Sequence, residues 1–292
     1  MDAPNPSAVP TFASRAPLHI GAVALTVRAL DRVASYYRDL LGLTELARDA
    51  DTVQLGVDGV TLLDLIGRGD AKGDDPRQAG LYHTAFLMPR RADLARWIRR
   101  IAAAQVPLTG ASDHGVSEAI YLDDPEGNGV EVYADRPPET WNWQDGLVRM
   151  PTEPLDLQDV MGADDGRSSY EAAPPGLRVG HIHLRVGDLA AAARFYQHEL
   201  GFAPTRERGG ALFMSTGRYH HHVATNVWHS QGAGRRDEDR AGLAWFSIEA
   251  TDAAALAAAA TRLREAGAPV TPMPAGFETA DPWGTRIHLV PA

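Results

Sequence analysis

Tyr36–Leu43 reads YYRDLLGL, and Phe195–Phe202 reads FYQHELGF. The two octapeptides share one pattern, and the likeness extends outward from them. AVALTVRAL (residues 22–30) precedes the first, and HIHLRVGDL (residues 181–189) precedes the second. Both flanks carry the two-residue period of a strand. Gly42 and Gly201 stand where a helix C-cap asks for positive φ. Asp188 stands where the later helix needs an N-cap.

A second pair of segments repeats the plan. YHTAFLMPRRADLARWIRRIAAAQV (82–106) is a strand followed by an amphipathic helix, and it leads to YLDDPEGNGVEVYAD (121–135). LAWFSIEATDAAALAAAATRLREAGAPV (243–270) leads likewise to ETADPWGTRIHLVPA (278–292). The Asp-Pro-x-Gly turns at Asp124–Gly127 and Asp281–Gly284 correspond, and each introduces a last strand. The chain therefore reads as an α+β fold of four βαβββ modules near residues 18–67, 80–135, 178–230 and 241–292. Two modules make an N-terminal domain, 18–136, and two a C-terminal domain, 177–292. A Pro-, Asp- and Gly-rich linker, 137–176, joins them, and residues 1–17 read as a disordered arm.

The chain has 292 residues, 44% of them hydrophobic, and a formal charge of -10. That balance, with no basic block, argues against nucleic acid or an anionic membrane as partner. With no cysteine, disulfides, thiolate metal sites and cysteine nucleophiles are excluded. The start lacks a basic, then apolar, leader pattern, and no apolar run reaches the length of a membrane span. A cytoplasmic protein is the expectation. Four modules in one chain can close their own sheets, which leaves a homo-oligomer possible but not required.

Alternation places His181, His183 and Arg185 on one strand face, His83 with Ala85 on another, and Glu131 with Tyr133 on a third. Polar groups facing away from the helix-covered side need water, a partner or a metal. Two imidazoles and a carboxylate on separate strands suit a facial triad with open positions. Without thiolate, that donor set favours Fe(II), with Mn(II) or Zn(II) possible.

The fourfold repeat, with DLAAAARFYQHELGF (188–202) and DPEGNGVEVY (124–133), resembles the vicinal-oxygen-chelate (glyoxalase-like) superfamily. That group includes glyoxalase I, bleomycin-resistance proteins, fosfomycin-resistance transferases and extradiol dioxygenases. The resemblance spans nearly the whole chain beyond the arm and the linker. Its ligand places, on the first and last strands of a module, fall on His83, Glu131 and His181. The first module has Ala22 at its ligand place, and the fourth has Leu243, Ala244 and Trp245, with His288 on its last strand. One complete site is thus implied, between the second and third modules. His19 lies three residues too early to be a ligand and reads as structural.

The run from His114 through Tyr121 and Asp124-Pro125-Glu126-Gly127 to Glu131 is similar to the extradiol dioxygenase signature. It departs at Ser112, and it lies in the N-terminal half where the family carries it in the C-terminal one. The whole chain resembles most the CatE-like catechol 2,3-dioxygenases. The resemblance implies a ring-cleaving enzyme for a small aromatic diol and O2. His114 and Tyr121 would bond substrate oxygens. A histidine from His220-His221-His222 would act as base, as histidine pKa values near neutrality allow. Alignment favours His221, with His220 or His222 as the competing choice. His183, Arg185, His220 and His222 are the remaining substrate-contact candidates, and His198 and His229 read as surface residues. Other metalloenzymes of the superfamily, an isomerase or a thiol transferase, are the alternatives, as is a drug-binding protein without chemistry.

Overall fold

A computed structural model describes residues 11–292. The first unit runs through the strand Leu18–Val27, the helix Leu30–Leu41 and strands Thr44–Arg48, Thr52–Val57 and Val60–Gly67. The second runs through Gly80–Met88, the helix Arg91–Ala103 and strands Gly110–Asp113, Ser117–Asp123 and Gly129–Asp135. Arg178–Arg185 opens the third, which ends on Val223–Asn226. Gly242–Ala250 opens the fourth, which ends on Arg286–Pro291. The α+β fold of four βαβββ modules is as the repeats imply. The helix stops are local: Gly42 and Gly201 take φ of 70° and 93°, values that cost a glycine nothing. Asp188 caps its helix by accepting from the Ala191 N–H at 2.7 Å. That helix widens to π turns over Arg194–Glu199.

The sheets do not follow the halves of the chain. Units one and four share an eight-stranded sheet, joined where Leu18–Val27 runs antiparallel to Gly242–Ala250. Units two and three share a nine-stranded sheet, joined where Gly80–Met88 runs antiparallel to Arg178–Arg185. Within each half, the units are tied through their turns instead. Tyr37 of unit one donates to the Asp124 carboxylate of unit two at 3.3 Å. Tyr196 of unit three donates to the Asp281 carboxylate of unit four at 3.0 Å. The repeated pair explains why both octapeptides carry a tyrosine and both late turns an aspartate.

The helices cover one face of each sheet and bury the main apolar core there. A smaller cluster, with Ala85, Leu87, Val116, Tyr133, Trp141 and Met150, underlies the opposite face of the nine-stranded sheet. It includes Ala13, only 2% exposed, so the disordered arm expected over 1–17 is ordered from Thr11 onward. The physical reason is packing. Phe12 lies edge-on to Trp141 at 5.5 Å, and the Leu18 N–H donates to Thr216 Oγ1 at 3.0 Å. The remainder of that arm, 1–10, lies outside the described residues. No described helix is long and apolar enough to cross a membrane.

Candidate metal centre

Strand pairing brings the three expected ligands together. Across the sheet, Tyr121 stands opposite Glu131, Glu131 opposite Ala85, and Ala85 opposite His181. One register step away, Gly129, His83 and His183 form the neighbouring row. Ala85 contributes only a methyl group between Glu131 and His181, so their longer side chains can converge over it. Gly129 is needed for the same closeness: a Cβ there would sit 2.2 Å from the Tyr82 carbonyl oxygen and 3.0 Å from His83 Cβ.

His83, Glu131 and His181 are all buried, and one ligand atom from each lies within 4.8 Å of the others. It is the one such group among the described residues. Glu131 Oε2 stands 3.2 Å from His181 Nε2 and 3.0 Å from His83 Nε2. The His83 contact lacks hydrogen-bond geometry, so that buried nitrogen has no hydrogen-bond partner. Leaving such a group unpaired costs about 1–3 kcal/mol. Burial pushes the His181 imidazole down to about 4, against the pull of Glu131, so it is neutral at pH 7. Burial pushes the Glu131 carboxyl up, but His181 and His83 outweigh it and hold the group well below its usual range. Two imidazole nitrogens and an ionised carboxylate aimed at one point fit a divalent cation, and the orphaned His83 Nε2 fits it best of all.

The cluster opens onto a cavity of about 720 Å³. His114, Tyr121, His183 and His221 line it, whereas Arg185, His220 and His222 do not. Arg185 shares the strand face of His181 but lies four residues on, about 13 Å along a strand. There it meets Asp74 at 2.5 Å. It is therefore a buried ion pair at the sheet end rather than a cavity residue.

The His triplet is not a strand. It occupies a bend before Val223–Asn226, and all three imidazoles are buried in different directions. His222 Nε2 meets the Ala13 carbonyl at 3.1 Å, at the back of the sheet. His220 Nε2 meets Asp135 Oδ1 at 2.9 Å, and His220 Nδ1 meets His221 Nδ1 at 2.8 Å. Asp135 only accepts, so His220 Nε2–H donates to it. In the tautomer of His220 that carries its one proton on Nε2, Nδ1 accepts from His221 Nδ1–H, and His221 Nε2 is then the unprotonated nitrogen. Tyr219 adds a second donor to Asp135 at 3.1 Å.

The same logic fixes His114. Its Nδ1 faces the Pro151 carbonyl at 2.8 Å and must donate, so Nε2 accepts from the Tyr121 hydroxyl at 2.8 Å. Burial, with Glu131 nearby, pushes the Tyr121 phenol well above its ordinary value and keeps it protonated. His183 Nε2 accepts from Asn226 Nδ2 at 3.0 Å. His198 and His229 are exposed. His19 is buried and bonds the Ala16 carbonyl and Glu249.

Sequence reasoning missed Asp135, although it continues the Glu131, Tyr133 alternation that placed Glu131. It also could not route the linker, which brings Met150, Pro151 and Thr152 to the cavity wall.

These buried imidazoles set an acid limit on the metal-free protein. Burial drops His222 to about 3 and His181 to about 4, against about 6.5 unfolded. The unfolded chain thus binds the proton first, so stability is present above pH 6.5 and is lost as pH falls toward the folded values. Asp281, pushed up to about 6 by burial, has the opposite sign: its stabilisation is present below its unfolded pKa and lost as pH rises through about 6. At pH 4.5 each of the two histidines removes about 2 kcal/mol relative to pH 7. Urea midpoints of the metal-free protein should therefore fall steeply between pH 6.5 and 4.5. A flat profile there would mean these imidazoles are hydrated.

A doubled βαβββ fold with one buried His–His–Glu cluster in the sheet between its halves defines a class of metal-site proteins. The chain belongs to the Glyoxalase/Bleomycin resistance protein/Dioxygenase superfamily, whose family model matches residues 19–132 and 178–289. Catechol-2,3-dioxygenase of Bacillus subtilis (strain 168) is 34% identical over 269 residues, 90% of this chain and 94% of that protein. Among solved structures, a putative dioxygenase from Bacillus subtilis subsp. subtilis str. 168 has a TM-score of 0.59 at 13% identity, covering 94% of this chain and 85% of that one. Glyoxalase I from Zea mays has a TM-score of 0.56 at 18% identity, covering 96% and 94%. The structural likenesses show the fold alone.

Proposed function

We propose that the protein is an extradiol dioxygenase that opens the ring of a catechol-like substrate next to its hydroxyls. The observation that carries this reading is the His83/Glu131/His181 cluster opening onto a cavity that also holds His221. The catechol-2,3-dioxygenase relative supports it. In the balanced reaction, diol and O2 combine into one ring-opened product. Both oxygen atoms are retained and no outside reductant is used.

Fe(II) is the proposed metal, supplying Lewis acidity toward the diol oxygens and redox chemistry toward O2; of the other candidates Mn(II) would supply both, and Zn(II), which the donor set also fits, only the Lewis acidity. His83 and His181 would hold it as neutral donors and Glu131 as the single anion. That set cancels one of two charges and leaves the other to favour a singly ionised diol. His221 Nε2 takes the diol proton, while His220 and Asp135 hold its Nδ1–H and stabilise the cation formed. On the neighbouring wall, His114 Nε2 holds the Tyr121 proton, which leaves the Tyr121 oxygen to accept from the diol's other O–H. His183, held neutral by burial, lines the site without adding charge. A glyoxalase-type site calls for more carboxylate than Glu131 provides.

Anaerobic loading with Fe(II), then catechol and O2, is expected to give a yellow ring-opened semialdehyde. With labelled O2, both label atoms should enter it. No oxygen uptake across a panel of catechols at full metal loading would sink the proposal.

A further inference from the structure

The cavity is larger than one diol ring requires. Its volume is about 720 Å³, whereas an apolar cavity of about 150 Å³ already admits benzene. The surplus space has an aromatic wall that begins at the metal cluster. His83 meets His183 at 4.9 Å between ring centroids and Tyr82 at 5.4 Å. Trp228 continues the wall, 5.5 Å from His183 and 5.2 Å from Tyr82. Phe213 lies 5.8 Å from His183 and 5.1 Å from His221. These are the separations of paired aromatic rings, so the wall is continuous from His83 to Trp228.

Its outer end meets solvent, with Trp228 45% exposed and Tyr82 36%. A lone exposed aromatic needs no explanation, but this indole is held in place. Trp228 Nε1 donates to the Gly209 carbonyl at 2.7 Å, and its backbone N–H donates to Asn226 Oδ1 at 3.2 Å. Asn226 also anchors His183. A ring fixed beforehand loses little entropy when a flat ligand stacks on it. The cation at the rim, Arg208, has Nη1 committed to the Met150 carbonyl and Thr152 Oγ1, at 3.3 and 3.2 Å. The Asp123 carboxylate lines the same cavity. Opposite charges thus share the cavity lining, which leaves no net charge to hold an ionised substituent, and the surplus space suits an uncharged one.

We infer that Trp228, Tyr82 and Phe213 form a stacking shelf that selects catechols carrying a second flat, apolar ring over catechol itself. The inference rests on the diol-binding reading of the cluster and deepens it. Calorimetry with the Zn(II)-loaded protein, which binds a diol without turning it over, compares catechol, 4-phenylcatechol and 3,4-dihydroxyphenylacetate. The expected result is about tenfold tighter binding of 4-phenylcatechol than of catechol. Trp228→Ala should bring the two affinities to parity, and Trp228→Phe, which keeps a flat ring, should retain most of the preference. Equal affinities in the unaltered protein, or a preference for the carboxylated ligand, would overturn the shelf. Turnover is a separate readout. If the Zn(II) form shows the preference and Trp228→Ala erases it, yet the Fe(II) form opens neither ring, ring cleavage fails and the shelf stands.

Discussion

Replacing Glu131 with Gln should leave a folded protein that no longer retains metal. The amide is nearly isosteric, so the packing over Ala85 survives. What goes is the one negative charge among the three donors, whose Oε2 stands 3.0 and 3.2 Å from the two imidazole nitrogens. Metal analysis should fall from one equivalent to background, and turnover should drop by at least about a thousandfold. Stability gives a second readout. Metal present at a hundred times its Kd stabilises the native protein by about 2.7 kcal/mol, and that increment should vanish in Glu131→Gln. Glu249 supplies the control. It pairs with His19 at 3.2 Å, much as Glu131 pairs with His181, but no third donor joins them. Glu249→Gln should leave metal content unchanged. One equivalent of metal retained by Glu131→Gln would show that the cluster is an ion pair and not a metal centre.

Much of the fold could be read from the chain because its signals are local. Gly42, Gly201, Asp188 and the two Asp-Pro-x-Gly turns act within a few residues of themselves, so they survive without tertiary information. The face assignments of His83, Glu131 and His181 were legible for a similar reason. Alternation is a backbone property, and these strands keep it through the pairing of Ala85 with Glu131 and His181. Alternation says which face, however, and not how far along the strand a cavity extends. Arg185 shows the difference: right face, wrong depth, and a partner in Asp74 from a distant loop. The His triplet shows a second limit. A bend has no period, so nothing local could send His220 to Asp135, His221 to the cavity and His222 to Ala13. The linker is the third. Its Pro151 carbonyl sets the tautomer of His114 across 37 positions of sequence, a contact that only the folded path creates.

With His221 as the proposed base, His221→Asn should lower kcat by about a hundredfold to ten-thousandfold while metal stays bound. Asp135→Asn separates positioning from proton transfer. An amide oxygen can still accept from His220 Nε2–H, so the tautomer of His221 is kept, but the negative charge behind it is lost. That charge, relayed through His220, favours the protonated form of His221. Without it the His221 pKa falls, the base weakens and kcat should drop by about tenfold to a hundredfold. The pH profile fixes the sign. Activity requires neutral His221 and is lost as pH falls through its pKa, so a lower pKa moves the acid limb of kcat to lower pH. A merely structural role for Asp135 would reduce activity at all pH values without moving the limb. The double variant completes the case. If Asp135 acts only through His221, adding Asp135→Asn to His221→Asn should cost nothing further, because the group it polarises has gone. Additive losses would place Asp135 on a path separate from His221.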